Sequence, residues 1–261
     1  RPYVDEVEFD PVACQDCGAC TSSCPTGAVQ LRDPSNERIA REVETLLDPG
    51  TGDDGLLGGL RDGDSAIETP VVAFVCSERA EDALRRYGRL AREDDDVRYP
   101  PILPVGVDCT DTVGEAHVMH ALAAGAAGVA IVGCGGDCLH SGPDPKAELV
   151  RRLDRATGDL GLGERITFLA PDPAEPRAFV QDLSQFVVEL DPTPVPAGDH
   201  EATGTVREDK PNPPFNSHDW TLESVRALLD HVEPNREVIR GLKDFGWMEV
   251  SDACNLTPTC S

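Results

Sequence analysis

Lysine is scarce in this sequence, and so is positive charge in general. The 261 residues include 23 Lys and Arg against 48 Asp and Glu, for a formal net charge of −25, and the only lysines are Lys146, Lys210 and Lys243. Nucleic-acid binding depends on cationic side chains that displace counterions from phosphates, so this composition argues against a nucleic-acid partner. It disfavours an anionic membrane surface for the same electrostatic reason.

Long apolar runs are also missing. No stretch approaches the roughly 20 apolar residues that a membrane-spanning helix needs. The opening Arg-Pro-Tyr-Val-Asp-Glu does not form a signal peptide. We therefore expect a soluble, cytoplasmic protein with no membrane insertion. Because the chain starts without methionine and stops just after Cys260, we expect it to be a piece of a longer polypeptide.

The charged residues that are present follow a pattern. Nearly all cations are arginine, and acidic clusters such as Asp94-Asp95-Asp96 interrupt the apolar segments. A hydrated acidic surface with screened self-repulsion indicates a halophilic protein. The alternative is a disordered acidic chain, but apolar runs such as 71–75 argue against disorder for most of the sequence.

Composition divides the chain into five parts. The first part has four cysteines and too few apolar residues for a conventional core. In the second part, apolar residues at helical spacing predict a helix over 36–47, which an acidic, glycine-rich linker follows. The parts are a cysteine-rich segment (1–35), a helix with its linker (36–68), an α/β domain (69–190), a proline-rich linker (191–216) and a helical tail (217–261).

The central part alternates short apolar runs with amphipathic stretches. The apolar runs predict buried strands over 70–76, 102–107, 128–133 and 166–169. The amphipathic stretches predict helices over 79–92, 113–124, 146–160 and 175–190. This alternation predicts an α/β fold: a small open parallel sheet with helices on both faces, preceded by the cysteine-rich segment. Two shorter helices are expected over 222–232 and 238–245.

The first cysteine motif consists of Cys14, Cys17, Cys20 and Cys24, followed by Pro25. Its spacing, C-x2-C-x2-C-x3-C-P, is that of bacterial ferredoxins and favours a [4Fe-4S] cluster. Zinc is the alternative, but zinc sites are usually built from two separated cysteine pairs. Disulfides are disfavoured in a reducing compartment.

This segment resembles the 2[4Fe-4S] ferredoxin family over about 30 residues, including the tail Cys-Pro-Thr-Gly-Ala-Val. The resemblance implies that Cys14, Cys17 and Cys20 bind one cubane cluster while Cys24 serves a second one. Since the sequence contains one complete run, the sister run is expected upstream of Arg1.

A second set of cysteines falls in the α/β domain. Cys76, Cys109 and Cys134 each lie at or just after the carboxyl end of a predicted strand, and Cys138 follows Cys134 closely. Such strand ends line one crevice of an open parallel sheet, so we predict a site with four thiolates. The alternatives are ordinary buried cysteines, zinc in the same pocket and an exchanging thiol pair formed by Cys134 and Cys138.

Residues from about 69 to 180 resemble the delta subunit of the methyl-viologen-reducing hydrogenase, a family also found fused behind the ferredoxin segment of heterodisulfide reductases. The resemblance implies a [2Fe-2S] cluster, with Cys76, Cys109, Cys134 and Cys138 as ligands. It also implies redox partners: a flavin-containing reductase and a hydrogenase or formate dehydrogenase. Two features depart from the family pattern, namely Arg79 at a frequent cysteine position and a shorter spacing between the last two cysteines.

The other candidates carry weaker signals. Cys254 and Cys260 could begin a further cluster motif or be ordinary cysteines, because their spacing is not C-x2-C. His140 is interpreted as a loop histidine rather than a ligand or a partner of the cluster. His117 and His120 lack the offset of a metal-binding pair, and we expect both on the surface.

No arrangement of catalytic residues stands out. The sequence therefore favours an iron–sulfur electron-transfer component of an oxidoreductase complex, whose redox chemistry resides in its clusters. The alternative is a zinc-stabilised scaffold or regulatory protein without redox activity.

Overall fold

The computed structural model describes residues 12, 14–47, 69–94, 96–134, 145–172, 174–196, 215–243 and 245. Its helices and strands follow in the order α1 (Ala19–Ser23), α2 (Asn36–Leu47), β1 (Val71–Cys76), α3 (Arg79–Glu93), β2 (Ile102–Val107), α4 (Glu115–Ala123), β3 (Gly128–Val132), α5 (Pro145–Asp159), β4 (Ile166–Leu169), α6 (Pro176–Glu189) and α7 (Ser217–Leu229). A short 3-10 turn, Thr110–Thr112, lies between β2 and α4.

The four strands form one parallel sheet in the order β2-β1-β3-β4. Every residue of β1 and β3 is buried, as expected for central strands that are covered on both faces. β2 is an edge strand that is only partly buried, and a sheet edge is where a residue such as Pro104 is tolerated. The predicted small parallel α/β sheet is confirmed.

Helices cover both faces of this sheet. On one face, α3 and α6 bury residues such as Leu84 and Leu183. On the other face, α2, α4, α5 and α7 form the larger core, in which Ile39, Met119 and Leu153 join Phe74 of β1. The crossover from β1 to β2 uses the first face and the crossover from β2 to β3 the second, which is the arrangement of a doubly wound sheet.

Helix α2 belongs to this core. The helix predicted over 36–47 is confirmed, and its apolar stripe of Ile39, Val43 and Leu47 is buried in the larger core. The acidic linker predicted after it, over 48–68, lies outside the described residues.

The two histidines of α4 were expected on the surface, and that prediction is wrong. His117 is 2% exposed and His120 is fully buried, because α7 covers α4 and sets the ring of Trp220 4.8 Å from that of His117. Burial lowers the pKa of His117 to about 3, and the nearby charges of His120 and Lys146 act in the same direction.

The expected helix over 238–245 is also absent from its described part, 238–243. Two carboxylates explain the difference, since Asp159 accepts the backbone N–H of Arg240 at 3.0 Å and Glu115 accepts that of Lys243 at 2.9 Å. Carboxylates on α4 and α5 thus accept hydrogen bonds from backbone N–H groups that would donate to backbone carbonyls within a helix. The Arg240 side chain also donates to Asp159 and lowers the pKa of that carboxyl to about 2.

In the part of the chain that the structure describes, none of the helices is long and apolar enough to cross a membrane.

Candidate metal centres

Two cysteines meet at the point where the strand order reverses. The chain leaves β1 for β2 on one side and later returns to β3 on the other, so the carboxyl ends of β1 and β3 flank the crevice where doubly wound sheets bind ligands. Cys76 is the last residue of β1, and Cys134 follows β3. Their Sγ atoms lie 3.3 Å apart. This juxtaposition is the one expected from cysteines at strand ends.

The spacing of this pair indicates its chemistry. Two thiolates on one tetrahedral metal are separated by about 3.8 Å when the metal–sulfur bond is about 2.3 Å, whereas a disulfide bond measures about 2.05 Å. A separation of 3.3 Å is too long for a disulfide bond and shorter than the spacing of two ligands on one metal, so the two thiols are in hydrogen-bond contact. Cys76 is 2% exposed and donates from Sγ to the carbonyl oxygen of Asp108 at 3.7 Å. The pair is therefore two thiols in contact, of which Cys76 is buried and Cys134 half-buried.

Gly133 allows the chain after β3 to pack closely enough for Cys134 to reach Cys76. A Cβ atom at this position would lie 2.9 Å from the ring of Phe168 and 3.0 Å from the hydroxyl of Thr110. The Gly133 amide donates to the carbonyl of Leu169 at 2.9 Å, which continues the ladder one residue past β3. A larger side chain would push the chain away just before Cys134.

Cys109 lies at the same edge of the sheet, after β2. It is 4% exposed and begins the 3-10 turn, where its Sγ accepts the amide of Asp111 at 3.5 Å. The preceding residue, Asp108, contacts Cys76 through its carbonyl oxygen. Cys138, the fourth predicted ligand, lies outside the described residues, as do His140, Cys254 and Cys260.

The first cysteine motif is described in full. Gly18, in the left-handed region with a φ of 74°, leads into the short helix α1, which carries Cys20. Cys14 donates to the carboxylate of Asp16 at 3.5 Å, and its Sγ accepts the Asp16 amide at 3.4 Å. The four thiols of this motif are all at least partly accessible.

Hydrogen-bond partners surround the sulfur of Cys24. Burial raises the pKa of the thiol, but hydrogen bonds from the backbone of Val29, Thr26 and Ala28 and from the Thr26 hydroxyl outweigh it and lower the pKa below its ordinary value. Donors that point at sulfur stabilise its negative form. The same kind of donor tunes cluster sulfurs in iron–sulfur sites.

Within the described ranges, no group of three or more Cys, His, Asp or Glu side chains lies close enough to hold a metal ion. The chemistry of the donors nevertheless fits iron–sulfur clusters. All seven described cysteines are thiols rather than disulfides, and the Sγ atoms of Cys76 and Cys134 are 3.3 Å apart. Sulfur-only donor sets favour iron–sulfur clusters or zinc over harder metals.

The two cysteine regions are joined by hydrogen bonds. The Thr112 hydroxyl donates to the carbonyl of Cys17 at 3.3 Å, and the Ser22 hydroxyl donates to the carbonyl of Asp111 at 2.6 Å. On the other side of the motif, the Ser217 hydroxyl of α7 donates to the carbonyl of Cys24 at 3.1 Å. The motif is therefore docked on the turn that begins at Cys109. We call this contact between α1 and the turn the junction.

A buried lysine lies beside the junction. Lys146, in the first turn of α5, is 8% exposed, and its Nζ donates to the carbonyl of Val113 at 2.9 Å. It lies 3.6 Å from Oδ1 of the buried Asp111. Lys146, Ser22 and Thr112 were not predicted from the sequence, because their importance depends on contacts between distant segments. The rarity of lysine was the one available signal.

Comparison with known families agrees with both resemblances. Residues 71–192 match the family model described as methyl-viologen-reducing hydrogenase, delta subunit, and residues 6–29 match that of a 4Fe-4S binding domain. A search of curated proteins finds no match. The chain therefore combines a 4Fe-4S binding domain with a domain similar to the hydrogenase delta subunit. This combination supports an iron–sulfur electron-transfer module.

Proposed function

We propose that the chain relays electrons between a [4Fe-4S] site in its cysteine-rich segment and a [2Fe-2S] site in the crevice of the sheet. Cys14, Cys17 and Cys20 would hold the first cluster, with Cys24 serving a second cubane. Cys76, Cys109, Cys134 and Cys138 would hold the [2Fe-2S] cluster. The observation that carries the proposal is the 3.3 Å approach of Cys76 and Cys134 at the topological switch point.

Bound clusters would supply the one-electron chemistry, and the chain would bind and tune them. Burial of Cys76 and Cys109 keeps water from their sulfur atoms. The junction would hold the two proposed sites close together, since hydrogen bonds join the Cys17 and Ser22 region to the turn after Cys109. An electron lost by one site would be gained by the other, so the relay would balance without a bond to a substrate.

The similarity to the hydrogenase delta subunit supports redox partners in a complex. We infer a flavin-containing reductase on one side and a hydrogenase or formate dehydrogenase on the other. The net charge of −25 supports the proposal that the protein works in a cytoplasm of high salt, because salt screens the repulsion between its acidic side chains. Stability and partner binding should then both increase with salt over the molar range.

The test is anaerobic analysis of iron, zinc and acid-labile sulfide, with EPR of the dithionite-reduced protein. The proposal predicts about six iron and six sulfide per chain for the first cubane and the [2Fe-2S] cluster, about ten of each when the second cubane served by Cys24 is also filled, and a rhombic [2Fe-2S] signal. That signal should vanish in the Cys76→Ser, Cys134→Ser variant and persist in a Cys14→Ser, Cys20→Ser variant. A Cys254→Ser, Cys260→Ser variant is the matched control and should keep it. Zinc without sulfide in the wild type would instead identify a scaffold without redox activity.

A further inference from the structure

Lys146 occupies an unusual place for a cation. Its ammonium group is largely removed from water, hydrogen-bonded to the Val113 carbonyl and 3.6 Å from the Asp111 carboxylate. Burial of a charge is costly unless a partner compensates for it. Burial lowers the pKa of Lys146, while Asp111 and the thiols of Cys109 and Cys17 oppose that shift. The turn that precedes Val113 begins at Cys109, and its Thr112 hydroxyl donates to the carbonyl of Cys17, so the lysine lies beside both cysteine regions.

The surrounding backbone fixes this charge in position. Lys146 reaches from α5 to Val113, immediately after the 3-10 turn, and Asp111 belongs to that turn. The same turn begins at Cys109 and accepts the hydrogen bond from Ser22 of the first motif. The ion pair therefore lies beside the junction, where both cysteine regions meet.

We propose that Lys146 is a positioning residue whose fixed positive charge raises the reduction potentials of both cluster sites. The proposal rests on the proposed function, because it requires clusters on the two cysteine sets. Reduction adds one negative charge to a site, so a nearby cation stabilises the reduced state and a nearby anion destabilises it. Lys146 and Asp111 consequently act in opposite directions.

The experiment measures midpoint potentials by anaerobic titration with EPR detection in the full chain. In K146M, both signals should titrate at lower potential, with at least a tenfold fall in the ratio of reduced to oxidised protein at the wild-type midpoint, which corresponds to about 59 mV for one electron. K146R keeps the charge and should restore the wild-type midpoints. D111N removes the negative charge and should raise them.

Two further variants complete the design. K243M removes an exposed lysine and controls for net charge, so its midpoints should equal those of the wild type. The double variant K146M/D111N removes the ion pair without leaving a buried charge alone, and its midpoints should lie between those of the single variants. If K146M fails to fold, D111N and the double variant still test the proposal.

Potentials that stay unchanged in K146M or D111N, with wild-type iron and sulfide content, would overturn the role of Lys146. If the midpoint potentials of K146R fell as far as those of K146M, the role would also be overturned, because the loss would then follow from the changed side-chain shape and not from the lost charge. These outcomes differ from a failure of the proposed function, which would appear as a wild-type protein without sulfide.

Discussion

The hydroxyl of Ser22 donates a 2.6 Å hydrogen bond to the backbone carbonyl of Asp111. The two residues are 89 positions apart, and each lies two residues from a predicted cluster ligand, Cys20 or Cys24 on one side and Cys109 on the other. This bond attaches the cysteine-rich segment, which has few apolar contacts of its own, to the α/β domain.

Removal of that hydroxyl should weaken the attachment. We expect Ser22→Ala to lower the free energy of unfolding by about 1–3 kcal/mol, because a partly buried carbonyl loses its donor. Ser77→Ala is the control, since the Ser77 hydroxyl donates to Asp108 at an exposed position and its loss should cost within about 0.5 kcal/mol. Urea unfolding measures both. Equal effects for the two variants would show that the junction does not depend on Ser22.

Gly18 is tightly confined at the junction. It has a φ of 74°, and a Cβ atom there would collide with the Thr112 hydroxyl and approach the Thr112 Cα to 3.0 Å. Gly18→Ala should therefore cost about 1–3 kcal/mol from backbone strain and should also reduce cluster incorporation. Gly106→Ala is the control, as a Cβ there meets nothing within 4 Å. Iron content and urea unfolding report the two effects, and wild-type values for Gly18→Ala would contradict the described packing.

His117 should make stability depend on pH. Its pKa of about 3 in the folded protein lies below the 6.5 of an unperturbed histidine, because burial disfavours the charged ring. Between these values the unfolded chain binds a proton that the folded chain does not. The contribution of His117 to the free energy of unfolding should thus fall by about 1.4 kcal/mol for each pH unit as pH drops from 6.5 towards 3, and it should be complete above 6.5.

The comparison with variants isolates this contribution. His117→Gln should remove it, so its stability difference from the wild type should change with pH across that window. For His231→Gln, at an exposed position, the free energy of unfolding should change with pH in the same way as in the wild type. If urea unfolding gave the same pH dependence of the free energy of unfolding for all three proteins, His117 would not be the source of that dependence.

Helix α2 should contribute to the core of the α/β domain. Ile39 is 1% exposed there, so Ile39→Ala should lower the free energy of unfolding by about 2–5 kcal/mol. Val188→Ala, at a residue that is 84% exposed, should change it by no more than about 0.5 kcal/mol. A cost for Ile39→Ala as small as that of Val188→Ala would place α2 outside the cooperative core.

The sheet could be predicted because its signals are local. Val71–Cys76 and Ile102–Val107 are apolar runs bounded by turn-forming residues, and their carboxyl ends in a parallel sheet must share an edge. That reasoning led to the approach of Cys76 and Cys134. Both cysteine-ligand sets remain predictions.

The errors have non-local causes. His117 and His120 lie on a helix whose polar positions look suited to solvent, but α7, about 100 residues later, covers them. The helix predicted over 238–245 does not form in its described part, because Asp159 and Glu115 accept hydrogen bonds from its backbone N–H groups. Lys146 gains its role from the turn at 110–112, which no pattern near residue 146 indicates.

The central claim is that two clusters lie across one junction. Both are paramagnetic when reduced, so EPR of the fully reduced wild-type protein should show the [4Fe-4S] signal broadened and fast-relaxing through its magnetic interaction with the second cluster. In the Cys76→Ser, Cys134→Ser variant the same signal should sharpen and relax more slowly. A wild-type spectrum equal to the sum of two isolated cluster signals would contradict the account.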